Sequence, residues 1–375
     1  MISRLFRSIL VFFRRLWDGV SLIVVLSITA TIPILQLASL GYMLESAGRV
    51  ARGWPLRRCF PGARTAGLIV TSGLWLGLSW LPVWLITDLA YSAALIDPGS
   101  APAHRWRIIA RVIAVVWVVW ATWALFRGGR WYHFLWPAPR QFFQTVFRRS
   151  AWHALEDRLW DFVGSLQIPR LMKIGFYGTV GAVLWLLIPS TLMVIALNGA
   201  ANGSSQPGEN ALFGFIGLVG AIWMWYVLQY LPFLQVNMAE KGRFLAVVDR
   251  PAVRDAFRRA PWAFFIATTL FFAAAIPLYL LRIESIPSQL WIFLSLFFVL
   301  FMFPPKLLAG WALRCSHRRQ RPVFWLWRWV AWVPLFAAIG VYVGVLYIAK
   351  FALWEGAASV LLQHAFLPPV PFYLR

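Results

Sequence analysis

Eight apolar runs, each about as long as a bilayer-crossing helix and nearly free of charge, constrain this chain more than any motif in it. They are Gly19 to Met43, Thr65 to Thr87, Ile108 to Phe126, Ile174 to Leu197, Ala211 to Val236, Pro261 to Leu281, Leu290 to Leu313 and Trp329 to Ala349. Roughly 20 helical residues cross about 30 Å of hydrocarbon, where the backbone has to satisfy its own hydrogen bonds. Composition removes the soluble alternative. Of 375 residues, 61% are hydrophobic and 13% charged, against about 45–50% and about 25% in soluble domains. The 24 Trp and 30 Phe exclude a disordered chain, which lacks aromatics. The expected fold class is all-α: a polytopic helical membrane protein. The first run is longer than a signal-peptide core and has no small-residue cleavage site after it, so it is expected to be retained.

A formal net charge of +22 would suggest nucleic acid in a soluble chain. Here the basic residues record topology instead. The connections after the first, third, fifth and seventh runs hold 24 Lys and Arg, while the remaining extramembrane segments hold 9. The positive-inside rule places the first set in the cytoplasm. One group conflicts with it: Arg4, Arg7, Arg14 and Arg15 lie outside if the first run crosses. Residues 1–18 alternate these arginines with Leu5, Phe6, Ile9, Phe12, Phe13 and Trp17, the pattern of a basic helix lying on a membrane surface. Charge alone therefore favours seven spans, with the first run entering and returning at Pro33.

An internal repeat favours eight, and about eight transmembrane helices are the expectation. Ile32-Pro33-Ile34-Leu35-Gln36-Leu37 matches Leu231-Pro232-Phe233-Leu234-Gln235-Val236, and each is followed by Met-x-Glu and then Gly-Arg. Leu81-Pro82-Val83-Trp84-Leu85 likewise matches Ile276-Pro277-Leu278-Tyr279-Leu280. Duplication at this offset gives two tandem four-helix halves, 19–197 and 211–349, joined by an outer loop at 198–210. Four spans per copy preserve orientation, so the copies are related by an axis along the membrane normal. Two further segments are expected at the interface: an amphipathic cytoplasmic helix over 140–168, and a C-terminal tail, 350–375, at the outer surface.

Chemical motifs are scarce. The chain has no Gly-Lys dipeptide and hence no Walker A loop, no His-Glu-x-x-His and no Gly-x-Ser-x-Gly. Its five His and two Cys form no ligand spacing, so neither metal nor cofactor is expected, and Cys59 and Cys315 are read as unpaired. No Asp or Glu lies inside a run, which removes the usual carboxylate of proton- or sodium-coupled carriers. Arg111 is one helical turn from Arg107 and reaches the interface. Lys306 follows Pro304-Pro305 and is either a cation beside a broken helix or a headgroup lysine beyond a run that ends at Phe303. Pro33 with Gln36, and Pro232 with Gln235, place a kink beside an amide in each half. Pro33, Gln36, Pro232, Gln235 and Lys306 form the candidate polar site.

The junction Gly41-Tyr42-Met43-Leu44-Glu45-Ser46-Ala47-Gly48-Arg49-Val50-Ala51-Arg52-Gly53-Trp54-Pro55 resembles that of an uncharacterised bacterial family of multi-span integral membrane proteins. The likeness covers this junction and its flanking runs, and departs from the family in having little acid after the glycine. It implies a class and no mechanism. Three functions remain open. A non-enzymatic scaffold or accessory subunit of the inner (cytoplasmic) membrane calls for tight packing. A carrier or permease for an anionic or lipid-like substrate calls for a polar cavity lined by Gln36, Gln235 and Lys306. An intramembrane lipid-modifying enzyme calls for clustered acids and histidines, which only His153, Glu156, Asp157 and Asp161 approach. The scaffold is the leading expectation. Expected partners are membrane lipids, above all the anionic inner leaflet facing the arginine-rich loops, and other membrane proteins; nucleic acid is not expected.

Overall fold

The hydrophobic runs do form helices in the computed structural model, which describes residues 2–201, 207–280, 291–352, 360–361 and 365–368. In chain order these are α1 (Ile2–Thr31), α2 (Leu35–Ala51), α3 (Leu56–Cys59), α4 (Ala63–Ile96), α5 (Ala101–Phe126), α6 (Trp131–Leu135), α7 (Pro139–Val146), α8 (Arg149–Ser165), α9 (Ile168–Ala201), α10 (Pro207–Lys241), α11 (Arg250–Arg259), α12 (Pro261–Leu280), α13 (Trp291–His317) and α14 (Trp325–Ala352), with a 3-10 turn at Phe244–Val247. No strand occurs among the described residues. Seven helices are long and apolar enough to cross a bilayer: α4, α5, α9, α10, α12, α13 and α14. The chain is an all-α polytopic membrane protein.

The first run does not form one crossing helix. Residues 2–18 and the start of that run are a single helix, α1, and the break comes at residues 32–34, where Ile34 adopts φ 72°. Pro33 supplies no N–H and its ring clashes with the preceding turn, so the helix stops there. The chain then reverses, and the Ser39 hydroxyl donates to the Leu26 carbonyl at 3.0 Å. A straight helix would hold those residues about 20 Å apart. The repeated proline, Pro232, instead sits inside the continuous α10. The same motif thus ends one helix and is absorbed in another, because α10 is packed along both α9 and α2 and neighbouring helices compensate a lost backbone bond.

Two compact units are present, one of residues 1–25 and 62–166, the other of 26–61 and 167–375. This grouping differs from a division at 198–210: α9, the fourth run, packs with α2 and α10 in the second unit.

In the first unit α4 and α5 form a hairpin. Its turn is closed by Ser100, whose hydroxyl caps α5 by accepting from the Ala103 amide at 3.3 Å. The Trp117 indole donates to Ser79 at 3.1 Å across the pair. The stretch expected to be one amphipathic helix over 140–168 is two, α7 and α8, separated at Phe147 and Arg148. Phe143, Phe147, Trp152 and Trp160 are all more than half exposed, as aromatics destined for an interfacial layer are.

The second unit is built around α2, whose residues from Ala38 to Ala51 are all buried. Small residues allow that burial. A Cβ on Gly41 would meet the Leu171 carbonyl, one on Gly175 the Leu37 carbonyl, and one on Gly310 the Ala47 carbonyl. On Gly48 it would stand 2.9 Å from the Ala239 carbonyl carbon. Backbones approach this closely only where no side chain intervenes, the usual basis of helix association in lipid. Beside α2, α13 packs on α12, and α14 covers α12.

Candidate functional site

Two polar centres lie in the second unit, both anchored on the tightly packed helices. The first surrounds Glu45, which is 1% exposed. One of its carboxylate oxygens accepts from Arg49 Nε at 2.8 Å, Arg52 at 3.2 Å and Arg170 at 3.2 Å. Arg49 lies one turn further along α2, where an i, i+4 acid–base pair faces itself. Arg52 also donates to the carbonyls of Ala239 and Glu240, at 3.2 and 2.8 Å, and so caps the end of α10. Arg49 binds the Arg58 carbonyl at 3.0 Å. Both guanidinium groups lie over the Trp54 ring, 5.0 and 5.4 Å from its centroid. A buried carboxylate without such partners would be prohibitive; three arginines around one acid leave the centre positively charged.

The second centre joins Lys306 to Gln235. Lys306 is 1% exposed, and its Nζ donates to the Ala365 carbonyl at 3.0 Å, with Gln235 Oε1 at 3.5 Å and the Phe271 ring at 5.4 Å. The Gln235 amide donates in turn to the carbonyls of Gly178 and Phe366, at 3.0 and 3.1 Å. Phe366 stacks on Phe271 with centroids 5.4 Å apart. Dipoles and a ring face therefore solvate the ammonium; no carboxylate among the described residues pairs with it. Lys306 is eight residues from Arg314, about 12 Å along the helix, and Gln235 six from Lys241, about 9 Å.

These contacts revise two expectations. Helix α13 continues through Pro304 and Pro305 to His317, so Lys306 belongs to the helix and is buried instead of lying beyond an end at Phe303. The tail expected at the outer interface instead places Ala365 and Phe366, both 0% exposed, inside the bundle. Irregular backbone at this depth is tolerated because Lys306 and Gln235 satisfy its carbonyls. The rest of the tail, apart from residues 350–352, 360–361, 367 and 368, lies outside the described residues.

Of the sequence candidates, Gln235 and Lys306 are brought together and Pro232 lies one turn from Gln235 in α10. Pro33 is exposed at the break after α1, and Gln36 is half-buried at the start of α2; among the described residues the Gln36 side chain bonds to neither Gln235 nor Lys306. Gln235, Ala365 and Phe366 expose no surface.

Sequence reasoning missed Glu45, Arg49, Arg52 and Arg170. Counting uncharged residues ended the run at Met43 and left Glu45 to a loop. The repeated Met-x-Glu before Gly-Arg, together with Gly41 and Gly48 seven residues apart, was the available signal. On α8, His153 and Glu156 lie 4.0 Å apart with side chains 79% and 65% exposed. Among the described residues no group of three His, Cys, Asp or Glu is placed to hold a metal. Comparison with protein-family models, curated proteins and solved structures finds no match.

Proposed function

We propose that this chain is a non-enzymatic scaffold or accessory subunit of an assembly in the cytoplasmic membrane, with its arginine-rich ends toward the cytoplasm. The observation that carries this reading is the closure around Lys306: Lys306 and Gln235 spend their hydrogen bonds on the protein's own Ala365 and Phe366. A transport site has to exchange its contacts with a substrate. Glycine-mediated contacts along α2 support the same reading, since closely meshed backbones resist the rocking that alternating access requires.

The hairpin of α4 and α5 offers the surface on which a partner is to be sought. Val115 and Val116 on α5 are 63% and 61% exposed. A photo-crosslinking residue at Val115 in native membranes is expected to give discrete protein adducts. Lipid adducts alone would overturn the scaffold.

One observation favours a second reading, a carrier of an anionic substrate: Lys306 is buried without a carboxylate among the described residues. Proteoliposomes loaded with organic anions and phosphate decide between them. The scaffold predicts flux equal to protein-free vesicles, whereas flux abolished by Lys306→Met would establish the carrier.

A further inference from the structure

We propose that Arg52 and Arg170, backed by Arg49 and Trp54, bind the phosphate of an anionic membrane lipid where α2, α10 and α13 end and α9 begins. The inference goes beyond the scaffold reading and does not depend on it.

Charge comes first. Three guanidinium groups share the single carboxylate of Glu45, and even with Glu240, which lies near Arg52 and 3.5 Å from His317, counted as a second negative charge, the three arginines leave a positive excess. The positive excess is fixed in place. Arg49 is buried, while Arg52 is pinned by the Ala239 and Glu240 carbonyls. Groups held in position before a ligand arrives lose little freedom when it binds.

Donor capacity comes second. A guanidinium carries five N–H groups in a planar fork that matches two oxygens of a phosphate. Arg170 spends one nitrogen on Glu45, and its side chain is 55% exposed, against 10% for Arg49. It therefore presents its remaining donors outward, and Arg52, 25% exposed, lies beside it. Arg170 also stands in the first turn of α9, where the helix dipole favours an anion.

Depth selects the ligand. The first turn of a spanning helix lies at headgroup level, the layer in which lipid phosphates and tryptophan indoles reside. Trp54, 40% exposed, lies against Arg49 and Arg52 and offers apolar contact to the upper acyl chain. A soluble phosphate would gain nothing from it. Basic pockets between helix ends on the cytoplasmic side are recognised sites for anionic headgroups.

The test is native mass spectrometry of the full chain released from nanodiscs of phosphatidylglycerol and phosphatidylcholine in equal parts. Retention of phosphatidylglycerol over phosphatidylcholine is expected for the wild type, and Arg170→Gln should reduce that preference about fivefold, the worth of one basic residue at an anionic surface. Arg321→Gln, an exposed arginine elsewhere in the same unit, should leave it unchanged. Arg170→Lys keeps the charge but loses the planar fork, so its preference is expected to fall between those of wild type and Arg170→Gln, and an unchanged unfolding midpoint in both variants controls for misfolding. An equal loss in Arg321→Gln would overturn the site in favour of diffuse surface charge. Displacement of the lipid by millimolar inorganic phosphate would overturn the lipid assignment.

Discussion

Replacing Glu45 by glutamine keeps the shape of the side chain and removes the charge on which three arginines converge. The magnitude follows from the exposure of each pair. Arg49 is 10% exposed and contacts Glu45 at 2.8 Å, so its pair is buried, and breaking a buried pair from one side costs about 3–5 kcal/mol. Arg52 and Arg170, with side chains 25% and 55% exposed, retain hydration and behave more like surface pairs, worth about 0.2–1 kcal/mol each. The glutamine carbonyl keeps one acceptor for Arg49, which returns about 1 kcal/mol. The net expectation is a loss of about 2–6 kcal/mol, read by reversible unfolding in mixed micelles with tryptophan fluorescence. The exposed acid Glu156 provides the control, and Glu156→Gln should change stability by less than about 0.5 kcal/mol. A Glu45→Gln variant within about 0.5 kcal/mol of wild type would refute the view that Glu45 is a structural counter-ion at the centre of the second unit.

Three further outcomes follow from the packing and charge. Gly175→Ala forces a methyl against the Leu37 carbonyl and should cost about 1–3 kcal/mol by overpacking, whereas Gly340→Ala, with nothing within 4 Å, should be neutral or slightly stabilising in the same unfolding assay. Gln235→Leu leaves the Phe366 carbonyl and the Lys306 ammonium without their amide partner and should cost about 2–4 kcal/mol. In a Lys306→Met background the cost should fall by at least about 1 kcal/mol, and a double-mutant cycle measures that coupling. Asp249 accepts from Lys241 at 2.8 Å and from the Ala252 amide, and the Lys241 contact above all holds its carboxyl below the usual range. A depressed folded-state value means that the stabilisation is fully present above the unfolded value of about 4 and fades as pH falls through the lower folded one. The stability difference between wild type and Asp249→Asn should be constant above about pH 5 and disappear in stronger acid.

Much of this fold was legible because a bilayer reduces the problem to lengths of uncharged sequence. The runs beginning at Thr65, Ile108, Ile174, Ala211, Pro261, Leu290 and Trp329 correspond to the seven helices that, among the described residues, are long and apolar enough to span, since hydrocarbon leaves a backbone no alternative to a helix. The first run was harder. Hydropathy is the same on either side of Pro33, and whether a proline ends a helix or is absorbed depends on neighbours the sequence does not name; Pro33 and Pro232 show both outcomes. Lys306 and Gln235 were recognised as polar residues at depth, but their partners are backbone carbonyls of Ala365 and Phe366, which no residue pattern encodes. Glu45 is invisible to hydropathy because a charge reads as the end of a span, whereas here it sits in α2, buried from Ala38 to Ala51.

The closure of the Lys306 centre is tested most directly by cysteine accessibility. With Cys59 and Cys315 replaced by serine, Ala365→Cys should stay unlabelled by a membrane-impermeant maleimide in native membranes, while Arg321→Cys, at an exposed position, should label readily. Rapid maleimide labelling at position 365 would contradict the account, because Lys306 would then face an open site instead of the protein's own backbone.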